Sequence, residues 1–263
     1  QFLKRSNEAL KHYDQAIELF RATGDRLGEA NTLQAIGDVL QFLKRSNEAL
    51  KHYDQAIELF RATGDRLGEA NTLLMLGQLT RKTGDTQRAL SYARQTIEMY
   101  KTIGSILGEA NGYRLTGETH FYGGEYAPAI QSFQLALPLY ERIGDRYSQA
   151  ATWQTLADAE TRLGNSWQAR TAFERAKDLF QEAGLDEQAQ RCERALKNLN
   201  QKVVVAPPKA PAIGAEKPKD PDWLQKSMPT AKPARSSGSR SGIPFWGWFL
   251  VGLGFVLLLW YLL

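Results

Sequence analysis

The sequence predicts an all-α protein: a right-handed α-solenoid of stacked antiparallel helix hairpins, then a disordered linker and a single transmembrane helix. Three observations carry this. The stretch GDRLGEANTL begins at Gly24 and again at Gly64, with a looser echo, GDRYSQAATW, at Gly144. Residues 1–33 and 41–73 are identical, and the same frame continues with decay through 81–120, 121–160 and 161–200. A fixed period of this size is the mark of a repeat array, in which each unit hides its apolar face against its neighbours. The last twenty residues, 244–263, hold no charged side chain.

Within a unit the apolar residues fall at helical spacing. The first helix presents Ala30, Leu33, Ile36 with Gly37, and Leu40; the second presents Ala49, Tyr53, Ala56, Ile57 and Phe60. Small residues at Gly37 and Ala49 allow close backbone approach, and the two helices pack as an antiparallel hairpin. Gly24 suits the left-handed conformation that ends a helix, and Asp25 suits the cap that starts the next. Ser46 is the expected N-cap of the second helix. Pro128 falls in a first helical turn, where its missing N–H costs little. Pro138 lies inside the expected helix 126–142 and predicts a local bend. Residues 186–200 read as a closing helix, with Ala189, Cys192, Ala195 and Leu196 on one stripe; Cys192 is a small packing residue there.

The unit resembles a tetratricopeptide repeat. Leu33, Ile36-Gly37, Ala49, Tyr53 and Ala56 match that pattern, as do Leu73, Leu76-Gly77 and Ala89, then Gly117, Ala129, Phe133 and Ala136, then Trp153, Leu156, Ala169, Phe173 and Ala176. The resemblance covers residues 1–200, beginning mid-repeat, and departs from the pattern in length, forty residues against thirty-four. That longer form is similar to the arrays of kinesin light chains and of many cyanobacterial signalling proteins.

Charge is uneven along the chain. Residues 201–263 hold 8 basic and 3 acidic side chains, leaving 25 against 26 in the first 200. A near-neutral body with a basic tail is not the charge pattern of a nucleic-acid binder. No Cys/His/carboxylate spacing matches a metal-ligand set, and the lone Cys192 excludes an internal disulfide framework. No metal, cofactor, small-molecule substrate or catalytic residue is expected.

Eight of the ten prolines lie between 207 and 244, so residues 201–243 read as a Pro/Lys/Ser-rich linker. Pro208 and Pro211 form a PxxP match, and Asp222-Trp223-Leu224 has the look of a docking motif; plain spacer is the competing reading of both. Residues 244–263 match the roughly 30 Å hydrocarbon thickness of a bilayer when helical. Trp246 and Trp248 at one end, Trp260 and Tyr261 at the other, suit the two membrane interfaces. Arg235 and Arg240 precede the span, which places the repeats in the cytoplasm by the positive-inside rule. A processed lipid-anchor signal at Ser236-Ser237-Gly238 is the alternative.

The first helix of each unit is expected to line a concave groove. Its polar positions there are Asn31, Gln34 and Asp38; Asn71, Gln78 and Arg81; Asn111, Arg114 and Glu118; then Gln154 and Asp158. An amide offers donor and acceptor together, so the ladder of asparagines suits the backbone of an extended peptide. Asp38, Glu118 and Asp158 give the groove an acidic cast, which predicts a ligand of basic character. The expectation is a membrane-anchored protein-interaction scaffold with a peptide ligand. The alternative is the regulatory and anchoring part of a larger enzyme or signalling protein whose catalytic domain lies upstream.

Overall fold

The computed structural model describes residues 2–205, which form ten α-helices: α1 Phe2–Thr23, α2 Arg26–Phe42, α3 Ser46–Thr63, α4 Arg66–Thr83, α5 Thr86–Ile103, α6 Ile106–Tyr122, α7 Tyr126–Ile143, α8 Arg146–Leu163, α9 Ser166–Glu182 and α10 Asp186–Val205. Every helix packs against the one before and the one after it, the arrangement of a solenoid. The even-numbered helices also meet one another, α2 with α4, α4 with α6 and α6 with α8, and no odd-numbered pair does so to the same extent. The even helices therefore line the tighter, inner side of the array.

The repeated decapeptide is a corner whose letters each have a task. Gly24 takes a left-handed φ of 73°, ending α1, and the Asp25 carboxylate accepts from the Gly28 amide at 2.8 Å, capping α2. Gly28 has no side chain because the Phe20 ring lies against it; an added Cβ would come within 2.5 Å of that ring. Arg21 Nε then donates to Glu29 at 2.7 Å across the corner. The second copy repeats these contacts with Gly64, Asp65, Phe60 over Gly68, and Arg61 donating to Glu69 at 2.6 Å. In the third, Tyr100 covers Gly108, and Ser105 replaces the aspartate as cap.

Inside each hairpin a second seat holds a second ring. The Tyr53 ring lies over Gly37 and the Phe133 ring over Gly117, where an added Cβ would come within 2.5 Å. In the unit between them Ala93 stands in the tyrosine's place, and Leu115 from the next unit fills the space at Gly77. Tyr53, Phe60, Phe133 and Tyr140 are fully buried, each ring contributing roughly 1.5–3 kcal/mol by leaving water.

The expected apolar stripes are the core: Ala30, Leu33, Ile36, Leu40, Ala49, Tyr53, Ala56, Ile57 and Phe60 are all buried. Helix α7 runs unbroken past Pro138, whose ring lies on the exposed side. Two expectations need correction. Ser46 is not a cap, because Lys44 takes the left-handed turn and leaves Arg45, which makes no side-chain cap, as the last non-helical residue. The closing helix continues to Val205, five residues into the stretch read as linker, and it buries Ala189, Cys192 and Leu199, with Ala195 and Leu196 only partly covered. Burial, aided by Asp158, pushes the Cys192 thiol up to about 11, which leaves it a protonated packing group.

Identical sequence meets two environments here. In α3, Ala49, Tyr53, Ala56 and Phe60 are at 0% exposure between α2 and α4. Their counterparts in α1, Ala9, Tyr13, Ala16 and Phe20, are only half-buried, since α1 packs against α2 alone among the described helices. Residues 206–263, with the expected linker and the interfacial Trp246, Trp248, Trp260 and Tyr261, lie outside the described residues. Among the described residues no helix is long and apolar enough to cross a membrane.

Left-handed turns recur every twenty residues, at Gly24, Lys44, Gly64, Gly84, Gly104, Gly124, Gly144, Gly164 and Gly184, and Lys44 is the one without glycine. An L side chain in that conformation costs about 1 kcal/mol. Lys44→Gly is therefore expected to raise the thermal midpoint by roughly 2–4 °C in a protein of this size, checked by circular dichroism melting.

Candidate functional site

The inner face is built by the even helices, and the predicted residues lie on α2, α4, α6 and α8. Asn71 and Asn111 are half-buried, but they are not idle amides. The Tyr100 hydroxyl donates to Asn71 Oδ1, and the Tyr140 hydroxyl donates to Asn111 Oδ1 at 2.7 Å. Each bond joins the inner helix of a hairpin to its outer helix. Burial pushes both tyrosines up to about 12, with Arg114 opposing at Tyr140, so both remain donors at neutral pH. Asn31 is exposed and lacks this bond because Phe60 occupies the corresponding place. The ladder is thus one exposed asparagine and two whose carbonyl oxygens are engaged within the protein.

Gln34 Oε1 accepts from Thr72 Oγ1 at 3.1 Å, tying α2 to α4. The Tyr53 hydroxyl donates to Asp38 at 2.6 Å. Although much of Asp38 faces solvent, burial of its carboxyl raises its pKa, with the tyrosine bond opposing. Burial likewise raises Asp158, against the pull of Arg162. Gln78 and Gln154 lie half-buried on the same face.

The middle of the face departs most from the sequence reading. Glu118 on α6 pairs with Arg114 one turn away and with Arg81 of α4, whose guanidinium is 3.3 Å distant. Arg114 Nε also donates to Tyr140 at 3.1 Å. Arg81 lies over the Tyr122 ring, 5.0 Å from its centre, within cation–π range. Two cations thus enclose one carboxylate. Glu118 is thus matched by two guanidinium groups, while the other acids of the row, Asp38 and Asp158, stand on α2 and α8.

Sequence reasoning missed the tyrosines that tie this face down. The signal was present: the phase 60, 100, 140, 180 reads Phe, Tyr, Tyr, Phe, and a hydroxyl added to a buried ring requires an acceptor. Among the described residues no group of three or more His, Cys, Asp or Glu is placed to hold a metal ion.

Two predictions follow from the hydroxyl bonds. Asn111→Ala leaves the Tyr140 hydroxyl without its acceptor and should cost about 1–3 kcal/mol; adding Tyr140→Phe to that variant should recover most of the thermal midpoint. Asp38 has a folded pKa above its unfolded one, so its ionised form costs stability at neutral pH, and that cost is lifted as pH falls through the folded value. Asp38→Asn keeps the acceptor for Tyr53. Its midpoint should exceed that of the native protein at pH 7, and the two should converge on acidification.

A family model described as tetratricopeptide repeat matches residues 1–62, 36–102 and 108–182. A comparison with curated protein sequences finds no match. Among solved structures, BtubC (BKLC) from P. vanneervenii aligns with a TM-score of 0.57 at 15% identity, covering 84% of this chain and 99% of that one. A putative kinesin light chain from Podosopora anserina with nearly identical TPR-like repeats aligns at 0.58 and 12%, covering 70% of this chain and 91% of that one. A Rap protein complexed with competence and sporulation factor aligns at 0.54 and 17%, covering 75% of this chain and 59% of that one. At such identities the likeness is one of fold. The repeat model, matched over most of the chain and across the segments that hold the glycine seats and buried stripes, identifies the chain as a member of the tetratricopeptide repeat family.

Proposed function

We propose that the protein is a membrane-tethered interaction scaffold that binds an extended peptide along the inner face of its even-numbered helices. The observation that carries this reading is the character of that face: half-buried amides and guanidinium groups at Asn71, Gln78, Arg81, Asn111, Arg114 and Gln154. Such groups can pair with peptide backbone and side chains, and Asn71, Asn111 and Arg114 are already held in place by bonds to α5 and α7, which lowers the cost of ordering them. The Rap protein of similar fold is complexed with competence and sporulation factor, which supports a ligand-binding role for an array of this shape. The tether is read from residues 244–263, whose length and aromatic ends suit a bilayer; holding a binder at a surface raises local concentration without new contacts.

Gln78 gives the cleaner test of the groove, since Asn71 and Asn111 also serve the fold. Peptides selected by display on the full chain in detergent should lose at least roughly tenfold in affinity with Gln78→Trp, which fills the groove. Unchanged affinity would refute the inner face as the site. Deleting 244–263 should move the chain from the membrane pellet to the supernatant, and retention in the pellet would refute the tether.

A further inference from the structure

We infer that one rim of the array, formed by the corners that lead from even-numbered to odd-numbered helices, lies against an anionic lipid surface. The inference rests on the tether reading above, which holds the array at a bilayer, and adds which edge of it meets the lipid. Helices joined by corners of two or three residues and packed on one another run antiparallel, so the corners fall alternately on two rims. The two rims differ in charge. The even-to-odd corners, residues 41–50, 81–90, 121–130 and 161–170, hold seven basic side chains and three acidic ones. The odd-to-even corners, residues 21–30, 61–70, 101–110, 141–150 and 181–190, hold seven basic and ten acidic. The near-neutral body conceals this polarity. Bases on the acidic rim are also engaged, Arg21 by Glu29, Arg61 by Glu69 and Arg146 by Glu182. On the basic rim Arg45 meets Glu48 and Arg88 meets Asp85, while Lys82 and Arg162 are exposed.

One position of the repeat shows how that rim is built. At 42, 82, 122 and 162, at or next to the end of each even helix, stand Phe, Lys, Tyr and Arg, ring and cation in alternation, and all four are exposed. A cation at a helix C-terminus is favoured by the helix dipole, which accounts for Lys82 and Arg162 without any partner. The rings have no such account. Phe42 and Tyr122 are each 69% exposed, although an aromatic ring gains by leaving water. Leu163 and Trp167, 45% and 44% exposed, carry the apolar set on to the last of these corners. Rings flanked by cations make a surface that enters a bilayer shallowly: the ring sits at the headgroup level while the ammonium or guanidinium stays beside the phosphates.

Apolar exposure alone does not choose the rim. Leu27, Leu67, Leu107 and Tyr147 are exposed at the odd-to-even corners too, but there the excess of acids repels an anionic surface. Nucleic acid is the other polyanion that a basic rim attracts. Lipid is favoured over it because Phe42 and Leu163 gain nothing from a phosphate backbone, whereas a bilayer takes up ring and cation together.

The test uses the full chain with vesicles. Flotation with phosphatidylcholine vesicles reads the tether by itself. An environment-sensitive fluorophore is then placed through Phe42→Cys or Leu163→Cys on the basic rim and through Leu107→Cys on the other, Cys192 being buried out of reach. In vesicles containing phosphatidylglycerol and lipid spin-labelled at the headgroup, quenching at 42 and 163 should exceed that at 107 by at least roughly twofold. The excess should vanish in phosphatidylcholine alone, in high salt, and in the double variant Lys82→Glu, Arg162→Glu, while flotation continues.

Equal quenching at the two rims, no quenching at either, or an excess that survives in phosphatidylcholine alone would overturn the lipid-facing rim and leave the tether standing. So would a label at 42 that responds to duplex DNA and not to vesicles. Failure to float would refute the tether, and the rim reading with it.

Discussion

The array depends on aromatic rings pressed onto backbone that has no side chain in the way. At each well-formed corner a ring from the end of one helix covers a glycine at the start of the next, as Phe20 covers Gly28, Phe60 covers Gly68 and Tyr100 covers Gly108. This contact sets the distance between successive hairpins. Once that distance is set, the even helices come close enough for Gln34 to meet Thr72 and for Arg81 to meet Glu118. The binding face is therefore a by-product of how the rings are seated.

The same logic explains where variation is tolerated. At 148 a serine takes the glycine's place in the fourth corner, yet Asp145 still caps its amide. At 93 an alanine replaces the ring, and Leu115 fills the gap at Gly77 from the following unit. Tight packing is conserved in volume while the donor of that volume changes.

Legibility in the sequence followed the range of each interaction. Corners, stripes and helix order were legible because Gly24, Asp25 and the 3.6-residue spacing act within a few positions. The start of α3 is legible in the twenty-residue phase of turns, where Lys44 stands as Gly24 does and Ser46 as Arg26 does. The inner face was legible as a row of positions but not in its chemistry. Tyr140 meets Asn111 across 29 residues of chain, and Arg81 meets Glu118 across 37. Such pairs depend on the rise and rotation between hairpins, which spacing alone does not reveal.

Residues 1–33 and 41–73 share every letter, yet among the described residues the helix they encode lies between α2 and α4 in one copy and meets α2 alone in the other. In a one-dimensional array the difference between two such copies is a nearest-neighbour coupling free energy, stripped of intrinsic propensity because propensity is common to both.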